Sequence, residues 1–148
     1  DEVFKAVNKA AELLESDNQP RAILFETALH GELLNLDEED NKRHYAGGMS
    51  ANRINAGLGM IISQLLEKVG KEKVAGLYTT GGDTMVNVCY QLGVECIEVM
   101  DYVIPQTDVG RLVGSKYSGL PVVGKGGLTG NDNTACDIVS RLFRESAR

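Results

Sequence analysis

The chain has 148 residues, 43% of them hydrophobic, and a formal net charge of −6. That length suits one domain able to bury roughly two-thirds of its unfolded surface, so it needs no disulfide or metal staple. The acidic balance argues against a nucleic-acid partner, which calls for clustered Lys and Arg, but permits a phosphate ligand held by backbone N–H groups.

Val3, Val7, Ala10 or Ala11, and Leu14 fall on one face of a predicted helix from Asp1 to Glu15. The chain opens inside that helix and without Met, so we read it as a piece of something larger. "SDNQP" supplies turn residues, and the apolar run in "RAILFETAL" predicts a buried strand over Ala22 to Thr27. Residues 30 to 48 look irregular, with the acidic cluster "DEED" at 37 to 40 read as a solvated loop. A long helix is predicted from Ser50 to Val69 on the stripe Ile54, Leu58, Ile61, Leu65 and Val69. Gly57 and Gly59 inside it suggest close packing against another element.

"VAGLYT" reads as the next strand, followed by Gly81 and Gly82. A helix follows over Asp83 to Leu92, with Met85, Val88, Cys89 and Leu92 inward and Gly93 as its C-terminal glycine. "ECIEVM" is a strand of alternating character. "DYVIPQTDVGRLVG" reads as a loop with a short extended piece, because Pro105 interrupts a strand. "GLPVVGKGG" is a last buried strand with a second glycine turn. Asn131 to Phe143 is the last helix, with Ala135, Ile138, Val139 and Leu142 inward. Strands alternating with helices imply an α/β fold: a mostly parallel sheet with helices on both faces, a three-layer αβα arrangement. Ligands bind such sheets outside the carboxyl ends of the strands.

Two segments share the order strand, glycine turn, helix: "LYTTGGDT" at 77 to 84 and "PVVGKGGLTGND" at 121 to 132. If their strands are parallel, both turns lie at one sheet edge, and each feeds a helix N-terminus that favours an anion. Gly81, Gly82, Gly126, Gly127 and Gly130 would let the backbone approach phosphate oxygens, and Lys125 adds a positive charge. Asp83 or Thr84 could cap the helix, and Asp83 could instead face a magnesium ion or a ligand hydroxyl. Neither turn is a GxxxxGK[ST] P-loop or a GxGxxG fingerprint. A tight packing turn without a ligand therefore stays open for each.

Other candidates are weaker. His30 and His44 have no partner at metal-ligand or catalytic spacing and read as surface residues, as do Asp101 and Asp108 around the proline loop. Ser50 and Ser63 lack a GxSxG elbow. Cys89, Cys96 and Cys136 form no CxxC, so buried thiols of a cytoplasmic protein are expected. No stretch approaches the ~18 apolar residues of a membrane span, and no membrane partner is expected.

"TTGGDT" (79 to 84), "LGVECIEVMDYVIPQTDVGRLVG" (92 to 114) and "GLPVVGKGGLTG" (119 to 130) together resemble the nucleotide-binding domain of the four-carbon acid sugar kinases. The resemblance covers residues 74 to 144 firmly and residues 1 to 73 more loosely. It implies an ATP- and Mg2+-dependent kinase acting on a hydroxyl of a threonate, erythronate or 3-oxo-tetronate. It implies that Gly81, Gly82, Asp83 and Thr84 bind the nucleotide, together with the turn Lys125, Gly126 and Gly127. It also implies a separate N-terminal domain carrying most of the sugar-acid site. The family's Pro-Gly-Val-Pro loop is "PQTD" here, and its Lys-Ser-Gly-x-Phe-Gly turn is "KGGLTG". The family's opening strand and Gly-Ser segment have no counterpart. These differences keep open a second reading, a nucleotide- or phosphate-binding regulatory module without kinase activity, and a third, an assembly domain whose glycines serve packing.

Overall fold

The computed structural model describes residues 2–28 and 30–147; Asp1, the predicted start of the first helix, lies outside them. The elements run α1 (Glu2–Glu15), α2 (Leu36–Lys42), α3 (Met49–Val69), a 3-10 turn (Lys71–Lys73), β1 (Leu77–Thr80), α4 (Gly82–Gln91), β2 (Cys96–Ile104), β3 (Thr107–Val113), β4 (Pro121–Lys125) and α5 (Thr134–Ser146).

The four strands form one sheet in the order β1-β4-β3-β2. Only β1 and β4 are parallel; β3 runs antiparallel to both β4 and β2. The expected mostly parallel sheet is therefore corrected to a mixed one. The reason is the stretch read as a loop around Pro105. Residues 96 to 113 form a β-hairpin in which Pro105 and Gln106 make the two-residue turn between the paired Ile104 and Thr107. Proline disrupts the middle of a ladder, yet its fixed φ suits a turn. The strand did not end at the proline; it reversed there.

A second correction concerns Ala22 to Thr27, which form no strand. Ile23 and Phe25 instead pack against Ala10, Ala11 and Leu65, while Leu24 is 74% exposed. The period-2 pattern is kept, but the segment lies on α1 and α3 and pairs with no strand. The three-layer description also needs revision, because α1 and α2 pack chiefly on α3 rather than on the sheet.

The core divides at β4. Val122 faces Leu66 of α3 and Val88 and Leu92 of α4; its neighbour Val123 faces Ile138 and Leu142 of α5. On α5 the inward residue at the start is Thr134, whereas Ala135, expected inward, is exposed. Gly59 of α3 is explained by packing: a Cβ there would stand 2.7 Å from the Asn87 carbonyl of α4. Gly57 has open space, so close packing does not account for it.

The acidic loop is also corrected. Residues 36 to 42 are helical, and Asp40 is buried. Its carboxylate accepts from the N–H groups of Gly48 and Ser50, both at 2.7 Å, and so holds the start of α3. Hydrogen bonding from the Ser50 side chain, then from these backbone groups, keeps its carboxyl below the usual aspartate range. Among the described residues no helix is long and apolar enough to cross a membrane.

Candidate functional site

Because β1 and β4 are parallel and Thr80 sits opposite Lys125, the two glycine turns leave the sheet side by side. The Gly81 N–H donates to the Lys125 carbonyl at 3.0 Å and joins them. Gly81 holds φ +90, a backbone state that side chains disfavour, and starts α4 without a side-chain cap. The first bond of that helix runs from Met85 N–H to the Gly81 carbonyl. The N–H groups of Gly82, Asp83 and Thr84 therefore have no intrahelical acceptor, and the helix dipole points its positive end at the same place.

The second turn is built differently from the expectation. It does not run straight into a helix, because α5 begins only at Thr134. Lys125 does not extend into open space. Its Nζ donates to the carbonyls of Gly126 (2.6 Å) and Thr129 (2.7 Å), and Thr129 Oγ1 donates to the Gly126 carbonyl. The lysine thus folds over its own turn and sets its shape, with its charge kept at the sheet edge.

The face of the two turns is open. A Cβ on Gly82 or Gly127 would meet nothing within 4 Å; on Gly81 the nearest atom would be Thr84 Oγ1 at 3.9 Å, and on Gly126 Thr129 Oγ1 at 3.4 Å. Neighbouring Gly124 differs, since a Cβ there would stand 2.6 Å from the Met85 sulfur. Packing explains Gly124 and leaves Gly82, Gly126 and Gly127 unexplained. A cradle of this kind fits phosphate oxygens, which backbone N–H groups at a helix start bind well.

Three residues of the site escaped the sequence reading. Asn55 of α3 accepts from Thr84 Oγ1 at 2.9 Å and so ties the start of α4 to α3. Only the tertiary fold brings these two together, so no local signal could have found Asn55. Gln106, at the tip of the hairpin, accepts from the Gly126 N–H through its carbonyl at 3.1 Å. It holds φ +61, a left-handed state costing about 1–2 kcal/mol for a residue with a side chain. Thr107 beside it pairs with Lys125, and its hydroxyl is buried with no hydrogen-bond partner among the described residues. Such a group typically costs about 1–3 kcal/mol. The departure of "PQTD" from the family loop was the one available signal for these two.

Apart from Asp83 in the first turn and Asp108, paired with Gly124 beside the second, the remaining candidates stand away from the turns. Asp83 is exposed at the start of α4. Among the described residues no group of three or more His, Cys, Asp and Glu could hold a metal. A magnesium ion would fit here only as a companion of bound phosphates, which with water supply most of its ligands in such sites in place of an all-protein cage. His30 contacts Glu26 and is exposed; His44 follows the end of α2 in a left-handed state common at helix ends. Asp101 pairs with Arg141 at 3.0 Å. The Tyr102 N–H, then Arg141, holds its carboxyl below the usual range. Ser63 donates to the Gln91 carbonyl and braces α3 on α4. The expectation of buried thiols is corrected for Cys96 and Cys136, which are exposed; Cys89 is half-buried, and burial raises its thiol pKa. An apolar groove bordered by Leu14, Ile23, Tyr78 and Phe143 is a seam between packed elements and contains no residue of either turn.

Comparison with known proteins identifies the family of the chain. Residues 1–135 match the family model described as "Nucleotide-binding C-terminal domain". Over 93 residues the chain is 44% identical to a D-erythronate kinase of Heliobacterium modesticaldum, covering 63% of this chain and 21% of that protein. Over 139 residues it is 30% identical to a D-threonate kinase of Salmonella typhimurium, covering 93% of this chain and 31% of that protein. A crystal structure of a domain of unknown function from Bordetella bronchiseptica, with bound citrate and as a domain-swapped dimer, superposes with a TM-score of 0.59 at 30% identity. That match covers 68% of this chain and 24% of the other. The chain thus spans a fifth to a third of the length of these two kinases. With its paired glycine turns in register at one sheet edge, it belongs to the family of nucleotide-binding C-terminal domains of the four-carbon acid sugar kinases.

Proposed function

We propose that this chain is the ATP-binding portion of a cytoplasmic kinase that phosphorylates a hydroxyl of a four-carbon acid sugar of the erythronate or threonate type. The observation carrying this reading is the open cradle formed by Gly81 and Gly82 beside Gly126 and Gly127, in a chain of this family. In this reading the polyphosphate lies across the two turns. The N–H groups of Gly82, Asp83 and Thr84 donate to its oxygens, and Lys125 shapes the second turn while lending its charge. Mg2+ accompanies the phosphates, with Asp83 as the nearest free carboxylate of the helix start. Phosphoryl transfer depends mainly on positioning and charge stabilisation, which turns of this kind supply. The whole chain acts as one nucleotide-binding domain, and the sugar acid is held by a separate domain of the parent protein.

The test has two parts. This chain is titrated calorimetrically with Mg-ATP, Mg-ADP and inorganic phosphate, and the full-length parent is assayed for ATP-dependent phosphorylation of D-erythronate and D-threonate. Nucleotide binding by the chain and turnover by the parent support the kinase. Binding without turnover on any four-carbon acid sugar would favour a regulatory module, a reading motivated by the altered "PQTD" and "KGGLTG" loops. A parent with neither binding nor turnover would refute both.

A further inference from the structure

The hairpin tip is a third wall of the site, and it carries a residue that the fold itself does not need. Among the described residues only His44 and Gln106 combine a side chain with a positive φ. His44 closes a helix, a position where that state is common. Gln106 occupies the second position of a two-residue turn, where glycine would sit without strain. Its one contribution to the fold is a backbone carbonyl that accepts from the Gly126 N–H. Glycine would make that bond equally well.

The Gln106 side chain is exposed, and no hydrogen bond holds it among the described residues. It nonetheless lies over the second glycine turn: a Cβ on Gly126 would stand 3.6 Å from Gln106 Oε1. The next residue, Thr107, adds a buried hydroxyl without a partner among the described residues. Two unfavourable features thus sit together at the tip that touches the Lys125–Gly127 turn. Local strain that packing does not require gathers where ligands are held.

We infer that Gln106 is a binding residue for the nucleotide's polyphosphate, its carboxamide Nε2–H donating to a phosphate oxygen over Gly126 and Gly127. This rests on the nucleotide-binding reading of the two turns. It predicts opposite signs for one substitution. Gln106→Gly relieves the backbone and raises the unfolding temperature of the unliganded chain, yet weakens Mg-ATP binding about tenfold, the loss expected for one hydrogen bond to a charged group. Gln106→Glu keeps the length but replaces the donor with a carboxylate, so it loses more than Gln106→Gly.

The experiment is calorimetric titration of Mg-ATP into the wild-type chain and both variants, with thermal unfolding of each without nucleotide. Weaker binding by a more stable Gln106→Gly supports the inference, since a merely structural residue would leave affinity unchanged or improved. Wild-type affinity in either variant overturns it while leaving the nucleotide site intact. A wild-type chain that binds no nucleotide overturns both the site and this residue's role in it.

Discussion

Gly82→Ala separates a ligand cradle from a packing turn. Gly82 is the first residue of α4, its φ is not positive, and a Cβ there meets nothing within 4 Å. The methyl group should therefore leave the fold intact or stabilise it by up to ~1 kcal/mol, since alanine loses less chain entropy on folding. If a phosphate lies against that N–H, the same methyl group stands in its way. Loss or bending of one hydrogen bond to a charged group is worth about 1.5–3 kcal/mol, or roughly 10- to 100-fold in affinity. At a Mg-ATP concentration of ~100 times the wild-type dissociation constant, nucleotide stabilises the wild type by ~2.7 kcal/mol. The variant would then gain only roughly 0.4–1.4 kcal/mol, and for a domain of this size each kcal/mol moves the melting temperature by about 2–4 °C. Gly59→Ala is the control. Its Cβ runs into the Asn87 carbonyl at 2.7 Å, so it should destabilise the free chain by about 1–3 kcal/mol. Its nucleotide-induced shift should stay near the wild-type value. The assay is thermal unfolding of the wild type and both variants with and without Mg-ATP. A Gly82→Ala variant that keeps the full nucleotide shift would refute the cradle and return the glycine pair to a plain tight turn.

Glu145→Ala should lower stability by about 2–3 kcal/mol in denaturant titration. Glu145 is 2% exposed and binds Arg141 Nε at 2.8 Å. The loss stays below the roughly 3–5 kcal/mol of a fully buried pair because Arg141 keeps some contact with water. Wild-type stability would contradict a structural role for that pair. The Asp40 carboxyl is held below its ordinary value of 3.8, so its stabilising effect is full above that pH and fades as pH falls through the lower folded-state value. Asp40→Asn should therefore melt lower than wild type at pH 7, with the gap narrowing at acid pH; a constant gap from pH 7 to pH 2 would argue against the carboxylate. Native alkylation followed by mass spectrometry should label Cys96 and Cys136 first and Cys89 last, because burial raises the Cys89 thiol pKa and limits access. Equal rates at all three would contradict the burial.

Helix periodicity placed α1, α3, α4 and α5 to within a few residues, because an amphipathic stripe is a local property that survives into the fold. Gly93, at φ +63 after the end of α4, was legible for the same reason: a helix end needs a left-handed residue and glycine supplies it. Both glycine turns were visible as residue types at strand ends. What only the tertiary structure decided was pairing. Pro105 looked like the end of a strand, but as the corner of a hairpin it reverses the chain and turns the sheet mixed. Ala22 to Thr27 carry a strand's alternation, yet their apolar face is taken by α1 and α3, since a period-2 pattern states that one side is buried without stating against what. The Thr80–Lys125 register, the reach of Asn55 to Thr84 and the approach of Gln106 to Gly126 join residues 29 to 45 positions apart in two cases and 20 in the third. Such contacts leave no local trace in composition or spacing. They exist because β4 comes back to lie beside β1, and that return is set by how the whole chain buries its apolar surface.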